Sequence, residues 1–271
     1  MPLSTGKVYL VGAGPGAPDL ITLRGARVLE RADVVFHDAL VHPETLAIAA
    51  RAQKVAVGKR CGKQATAQRF INKRLIDAAH RYGVVVRLKG GDPMLFGRAQ
   101  EEIAALQAAG VEYEVIPGVT AALGAAAEAG ISLTQRGLAR SVAFVTPRVA
   151  AGEAPSGWAR SAAAADTAVI YMGAGQAAEI AAALAVHGVA LNTPLVLVEN
   201  ASLPDARRFC MSLSELPRVD EFGITGPALI MLGEVFAAAR AQPSRPGAEH
   251  PTPDTEHSLP FKGRVRVGMG S

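Results

Sequence analysis

The sequence predicts an α/β fold laid out in two successive units, and three observations carry that reading. Short apolar runs rich in β-branched residues alternate with amphipathic helical stretches over about the first 130 residues, the rhythm of a parallel sheet. These runs stop abruptly at glycine, proline or an acid, which places exposed backbone at the carboxyl edge of a sheet, where open α/β sheets bind ligands. A second series of apolar runs then resumes near residue 141. The clearest single stretch is Val84-Val-Val-Arg-Leu-Lys-Gly-Gly-Asp-Pro-Met-Leu-Phe-Gly-Arg98. It opens as a buried strand and breaks at Gly90-Gly91-Asp92-Pro93. It turns helical after Gly97, with Ile103 and Leu106 on one side.

Taken in order, Lys7-Val-Tyr-Leu-Val11 is a first strand, Gly12-Ala-Gly-Pro-Gly16 its terminal loop, and Leu20 to Ala32 a helix. Strand, glycine loop and helix suggest a dinucleotide fingerprint, but the glycines are spaced Gly-x-Gly-x-Gly and lack the third one a place further on. Pro15 and Pro18 also remove two N–H groups from a loop that would have to donate them to a pyrophosphate. No Gly-Lys-Ser/Thr follows, so a nucleoside-triphosphate loop is excluded as well. Asp33 to Asp38 is a second strand and Lys54 to Val57 a third, ending in Gly58-Lys-Arg-Cys-Gly62. Gln68 to Tyr82 is an amphipathic helix, Glu112 to Ile116 a fifth strand after the one at Val84, and Pro117-Gly118 opens an Ala-rich helix reaching about Ala129.

In the second unit, Ser141–Thr146, Thr167–Tyr171, Pro194–Glu199, Arg207–Met211 and Ala228–Leu232 read as strands. Gln176–His187 and Phe236–Ala241 read as helices, and 149–165 as a loop with a poor helix. From Gln242 to Ser271 proline, glycine, charge and histidine dominate without periodicity, which reads as a disordered tail. The domain division expected is 1–118, 119–241 and that tail, 242–271.

Composition narrows the function classes. The 271 residues are 49% apolar and 19% charged, ordinary for a soluble globular protein with a full core. No apolar run is long enough to cross a bilayer, and the N-terminus lacks the regions of a signal peptide. Cys61 and Cys210 are too far apart to form a metal-type pair, no histidines cluster as ligands, and a reduced cytoplasm is the expected setting. Aromatic residues make up 5%, too few for a base-stacking platform, and no run of like charge forms a basic arm, so neither nucleic acid nor membrane is an expected partner. A net charge of +4 permits an anionic ligand.

The ordered succession Val11-Gly-Ala-Gly-Pro-Gly16, Asp38-Ala-Leu-Val41, Val57-Gly-Lys-Arg60, Val86-Arg-Leu-Lys-Gly-Gly-Asp-Pro93, Phe96-Gly-Arg98, Pro117-Gly-Val-Thr-Ala-Ala122, Tyr171-Met-Gly173, Val198-Glu-Asn200 and Pro227-Ala-Leu-Ile230 resembles the tetrapyrrole methylase family over roughly residues 7 to 240. The resemblance implies two α/β domains, a parallel sheet in the first and a mixed sheet in the second, usually in a homodimer. S-adenosylmethionine would lie in the cleft between them. Lys-Gly-Gly-Asp-Pro followed by Phe-Gly-Arg favours two methyl transfers to uroporphyrinogen III, yielding precorrin-2, over later cobalamin-pathway reactions or ribosomal-RNA methylation. A sulfonium cofactor without phosphate suits a proline-bearing loop, and an octacarboxylate substrate suits a basic protein.

Carried over by the same resemblance, the cofactor contacts are Pro15, Gly90, Gly91, Asp92, Leu95, Thr120, Ala121, Met172, Ala201, Pro227 and Ala228. Asp38 matches the proton acceptor, Lys59 the proton donor, and Arg98 and Arg136 the substrate-carboxylate anchors. Arg98 is also a candidate for the deprotonation, but arginine is so rarely neutral that anchoring suits it better. Plainer roles stand beside these: a turn cap for Asp38, a solvated charge for Lys59 and Arg60, core packing for Met172. The chain departs from the family pattern at Ala17-Pro18-Asp19, His37, Ala99-Gln100, Gln135, Pro147-Arg148 and Ala201, where a methyl group is expected to narrow the adenosyl pocket. With no dehydrogenase or ferrochelatase module before Met1, methylation alone is expected. The alternatives are another precorrin methylase, an NAD-dependent oxidoreductase, disfavoured by Pro15, and a non-catalytic tetrapyrrole-binding relative. Joint retention of Asp38, Lys59 and Arg98 argues against the last.

Overall fold

In the computed structural model, residues 5–57, 64–149 and 156–241 are described. Five strands form the first sheet: β1 (Lys7–Gly12), β2 (Val34–His37), β3 (Gln53–Ala56), β4 (Val84–Lys89) and β5 (Tyr113–Ile116). All pair in parallel, in the order β3-β2-β4-β1-β5. Connections from β1 to β3 step one way across the sheet and those from β3 to β5 step back. The carboxyl ends of β1 and β4 therefore lie side by side where the direction reverses.

The alternation of side chains along these strands sorts the helices onto two faces. On one, Tyr9, Val11, Val35, Val86 and Leu88 are covered by Val28 and Leu29 of α1 (Leu23–Glu30) and by the segment following α2 (Pro43–Ala47). On the other, Val8, Leu10, Val34, Phe36 and Val85 meet Leu75, Ala78 and Ala79 of α3 (Gln64–Ala79) and Ile103 and Leu106 of α4 (Ala99–Ala108).

The second sheet is mixed. It contains β6 (Val142–Val145), β7 (Thr167–Tyr171), β8 (Pro194–Glu199), β9 (Arg207–Ser212) and β10 (Ala228–Leu232), in the order β6-β7-β10-β8-β9. Only β6 and β7 run parallel; the other pairs are antiparallel. One face carries α6 (Trp158–Ala164), α7 (Ala177–Val186) and 3₁₀ turns over Leu213–Phe222. The other carries α5 (Ala121–Ala129) and a closing 3₁₀ segment, Glu234–Ala241, through Ala122, Ala125, Phe236 and Ala239. Although α5 follows the last strand of the first sheet, it packs on the second. Among the described residues no helix is long and apolar enough to cross a membrane.

Local chemistry accounts for the differences from the expected elements. The helix expected from Leu20 starts at Leu23, because Thr22 caps it by accepting a hydrogen bond from the Gly25 N–H at 3.1 Å, and Pro18–Leu20 form a separate 3₁₀ turn. The helix expected over Gln68–Tyr82 runs one turn earlier, from Gln64, and ends at Ala79. Two elements had no sequence counterpart. One is α2, opened by Pro43 behind a His42 cap; the other is the 213–222 turns, opened by a Ser212–Glu215 capping box. The expected loop 58–62 and the expected tail 242–271 lie outside the described residues.

Candidate active site

Three strand ends of the first sheet are drawn together by glycine. A Cβ on Gly12 would lie 2.6 Å from the Gly118 Cα and 2.7 Å from the Gly91 carbonyl oxygen, so the loops after β1, β4 and β5 touch backbone to backbone. Gly91 donates to the Gly14 carbonyl at 2.7 Å and Ala13 to the Lys89 carbonyl at 2.8 Å, extending the β1–β4 ladder into the loops. Asp92 fastens the third loop: its carboxylate accepts from the Met94 N–H at 2.8 Å and the Gly118 N–H at 2.9 Å. Gly90 differs from its neighbours. A Cβ there would meet nothing closer than Leu40 Cβ at 3.5 Å, and its backbone is not left-handed, so protein packing does not require glycine. The strand end would accept a Cβ in ordinary contact with Leu40.

The opposite wall comes from one edge of the second sheet. Register places the ends of β7 and β8 beside the start of β10, so Met172, Asn200–Ser202 and Pro227–Ala228 share that edge. Met172, Asn200 and Ser202 are left-handed, at φ 57°, 52° and 70°. Phe96 and Arg98 on the facing loop are left-handed too, at 53° and 57°. Among the described residues these five are all the non-glycine residues with positive φ, and such conformations concentrate at functional sites.

Contacts bridge the walls. The Ala17 N–H donates to Ser202 Oγ at 3.0 Å in a buried bond, and a Cβ on Gly16 would strike Leu203 at 2.9 Å. Pro15 lies against α5, where a Cβ on Gly124 would reach it at 2.8 Å. Tyr171 joins Thr120 Oγ1 at 2.7 Å and accepts from the Ala122 N–H at 3.1 Å, and its ring packs on Phe96 with centroids 4.9 Å apart. Burial pushes the Tyr171 phenol upward, so it stays protonated at neutral pH. Ala201 is buried in the core of the second sheet, with its carbonyl toward Gly16.

Charge enters beneath the Gly90 strand end. Asp38, directly after β2, has its Oδ1 held by Arg87 Nη2 at 2.5 Å, and its side chain is one-third exposed. Arg87 Nε donates to Glu102 at 3.0 Å, and Lys89 Nζ lies 3.2 Å from both Glu102 oxygens. Gln68 adds a fourth bond to Glu102 at 3.2 Å. Arg87, Lys89 and Glu102 are all buried. Burial opposes the charge on Arg87, but Asp38 and Glu102 more than offset it and hold the guanidinium protonated. For Lys89, burial and then the neighbouring Arg87 pull the ammonium below the ordinary amine range.

The remaining site candidates are placed less closely. Arg98 has its fork on Glu101, through Nε and Nη2 at 2.7 Å each, which pulls the Glu101 carboxyl below its usual range. Arg136 stands on the exposed 135–139 turn, which closes through backbone bonds between Gln135 and Ala139. Leu95 is half-buried behind Asp92. Lys59 lies outside the described residues. Four residues in the site had no role assigned from the sequence: Arg87, Lys89, Glu102 and Tyr171. A signal did exist for the first two. Two cations at alternate positions of an otherwise apolar strand share one buried face and require an acid opposite.

Fold and site together define an α/β protein of two dissimilar sheets, in which glycine strand ends of the first meet left-handed loop residues of the second. Residues 7–217 match the profile of the Tetrapyrrole (Corrin/Porphyrin) Methylases, and the chain belongs to that family. It is 44% identical over 240 residues to a uroporphyrinogen-III C-methyltransferase of Pseudomonas aeruginosa, covering 88% of this chain and 98% of that protein. It is 46% identical over 235 residues to a siroheme synthase of Pseudomonas fluorescens, covering 86% of this chain. The chain spans about half the length of the siroheme synthases it matches. Among solved structures, the uroporphyrin-III C-methyltransferase of Thermus thermophilus complexed with S-adenosylhomocysteine superposes with a TM-score of 0.74 at 43% identity, over 85% of this chain and 98% of that one.

Proposed function

We propose that the chain is an S-adenosylmethionine-dependent C-methyltransferase acting twice on uroporphyrinogen III to give precorrin-2. The observation that carries the reading is the strand end at Gly90, where packing does not require a glycine and a bound cofactor would. It lies beside Asp38, within a family of tetrapyrrole methylases. The residues fit the cofactor's chemistry. In the β1 loop Pro15 and Pro18 have no N–H, and the N–H groups of Ala13, Gly14 and Ala17 are bonded within the protein, so it offers no row of donors to a phosphate and suits a sulfonium cofactor that has none. Gly90 and Gly91 with Thr120 and Ala121 would hold the cofactor from one wall; Met172, Ala201, Pro227 and Ala228 would hold it from the other. When bound, S-adenosylmethionine supplies the methyl group.

Methylation at a ring carbon leaves the pyrrole iminium-like, and a proton must then depart. Asp38 is the base in this reading: Arg87 fixes one oxygen, and among the described residues the second has no hydrogen-bond partner. Arg98 and Arg136 bind substrate carboxylates, and Lys59 gives up a proton. For Arg98 this means exchanging Glu101 for the substrate. Residues 1–118 and 119–241 are the two domains, with the cofactor in the cleft between them and 242–271 a tail outside both. The protein works as a cytoplasmic homodimer, for which the apolar groove between α5 and β6, lined by Leu123, Ile131, Leu133 and Phe144, offers a face.

Incubation with enzymatically prepared uroporphyrinogen III and isotope-labelled S-adenosylmethionine, followed by mass analysis, tests the activity. Two added methyl groups are expected. Absence of transfer together with selective binding of NAD would sink the assignment.

A further inference from the structure

The four charged side chains under the Gly90 strand end form a chain of contacts with one interior hub. Glu102 has no solvent exposure, and four bonds converge on it: one from Arg87 Nε, one from Gln68 and two from Lys89. Arg87 has its other end on Asp38, and its Nη1 donates to the Leu88 carbonyl at 3.1 Å. The guanidinium is thus gripped on three sides, and its one outward contact is the carboxylate at the cleft. Two acids and two bases balance, so the network buries its ions without leaving a net charge inside. A buried acid of this kind is not needed to fill space on a face otherwise covered by Leu75, Ile103 and Leu106.

We propose that Glu102 is a positioning residue for the reaction. By anchoring Arg87 Nε from inside the protein, it holds the guanidinium that fixes the Asp38 carboxylate at the cleft. Lys89 is its charge partner: it occupies the second Glu102 oxygen and runs beneath the loop at Gly97, where a Cβ would lie 3.1 Å from Lys89 Cε. This inference rests on the methyl-transfer reading for its kinetic consequence, while its geometric consequence stands alone.

The test compares Glu102→Gln with the double variant Glu102→Gln/Lys89→Met in the full-length protein. Glutamine keeps one carbonyl acceptor but has a single oxygen for two cations. With that oxygen drawn to the Lys89 ammonium, its amide faces Arg87, donor against donor, and Arg87 loses its Nε anchor, left on its inner side with only the Nη1 bonds to the Leu88 and Phe36 carbonyls. Single-turnover methyl transfer at saturating uroporphyrinogen III is expected to slow by about tenfold or more, with the dissociation constant of S-adenosylhomocysteine unchanged within about twofold. Replacing Lys89 by methionine removes the competing cation and lets the introduced glutamine turn its carbonyl to Arg87, so the double variant recovers most of the lost rate. A crystal structure of Glu102→Gln is expected to show Arg87 withdrawn from hydrogen-bond distance of Asp38. An unchanged rate, a rate that falls in step with cofactor affinity, or an Arg87 still seated on Asp38 each overturns the inference. If the parent protein transfers no methyl group, the functional reading fails, and the crystal structure still decides whether Glu102 positions Arg87.

Discussion

Gly90 and Gly118 sit at the ends of the two strands that flank β1 and look alike in the sequence, yet the space around them makes opposite demands. A Cβ on Gly118 would strike the Gly91 carbonyl oxygen and lie 2.8 Å from the Gly12 Cα, so Gly118→Ala must push two backbones apart. Gly118→Ala is expected to lower thermal stability severely. Gly90→Ala introduces only ordinary contacts, and by reducing the freedom of the unfolded chain it is worth roughly 0.4–1 kcal/mol of stabilisation. On the proposed reading its methyl group would fill cofactor space instead. Calorimetry with S-adenosylhomocysteine is expected to show weakened binding by a protein that melts no lower than the parent. Undiminished affinity would remove Gly90 from the cofactor site. The charged residues divide in a similar way. Asp38→Asn is expected to slow methyl transfer while cofactor and substrate affinities hold. Arg98→Lys loses the planar fork and is expected to weaken substrate binding about tenfold, a charge-assisted bond being worth roughly 1.5–3 kcal/mol. Glu101→Gln weakens an exposed competitor for Arg98 and is expected to tighten substrate binding by no more than about fivefold. Single-turnover methyl transfer alongside substrate titration of each variant checks all three. Normal turnover of Asp38→Asn beside a chemically dead, saturable Arg98→Lys would put the arginine at the reaction centre.

At the scale of elements, most strands were legible because β-branched runs and glycine stops state them locally; what joins loop to loop was not. Val84–Lys89 announces itself as a strand, but only the fold brings Glu102, thirteen residues beyond Lys89, onto the face of Arg87 and Lys89. The 3₁₀ turns at 213–222 carry Pro217 inside them, but their apolar residues recur every three, with Leu213, Leu216 and Val219 all buried, so that stripe and the Ser212–Glu215 capping box were both legible marks. Glu199 shows the same limit as Glu102. In the sequence it is the acid that ends β8. In the structure it is 1% exposed and accepts from Gly226 at 2.6 Å, Thr225 at 2.7 Å and Arg207 at 2.7 Å, tying the approach to Pro227 and Ala228 onto β8. Burial alone would raise this carboxyl; the two N–H donors and Arg207 outweigh it and hold it below the ordinary value of 4.5. A depressed folded-state pKa contributes stability that is complete above the unfolded value and is lost as pH falls through the folded one. The acid-side loss of stability is therefore expected below about pH 4.5, with none between about pH 6 and 8 from this group. Glu199→Gln is expected to cost about 2 kcal/mol and about 4–8 °C in melting temperature at neutral pH, and to flatten the acid dependence. A melting profile with unchanged acid slope would show that the anchor lies elsewhere.

Across the whole molecule, the two sheets have separate cores, and what couples them is a short set of contacts: the β1 loop with the turn after β8, Pro15 with α5, and Phe96 with Tyr171. The most specific is the hydrogen bond from Ala17 to Ser202, residues 185 positions apart in sequence and both buried. Ser202 holds this position at φ 70°, a conformation that costs a residue with a Cβ roughly 1–2 kcal/mol over glycine. The strain makes sense if its hydroxyl is what the fold retains, because without an acceptor the buried Ala17 N–H would be unsatisfied at a cost of about 1–3 kcal/mol. The two terms can be separated. Ser202→Ala keeps the strain and loses the acceptor, and it is expected to destabilise by about 1–3 kcal/mol. Ser202→Gly loses the acceptor but relieves the strain, so it is expected to lie closer to the parent than the alanine variant does. Because the bond spans the cleft, the alanine variant is also expected to bind S-adenosylhomocysteine more weakly than its loss of stability alone explains, and hydrogen exchange at residues 13–17 and 200–206 is expected to rise together. If glycine proves worse than alanine, chain entropy outweighs the strain at Ser202. If exchange rises on only one side of the cleft, the bond does not couple the two sheets.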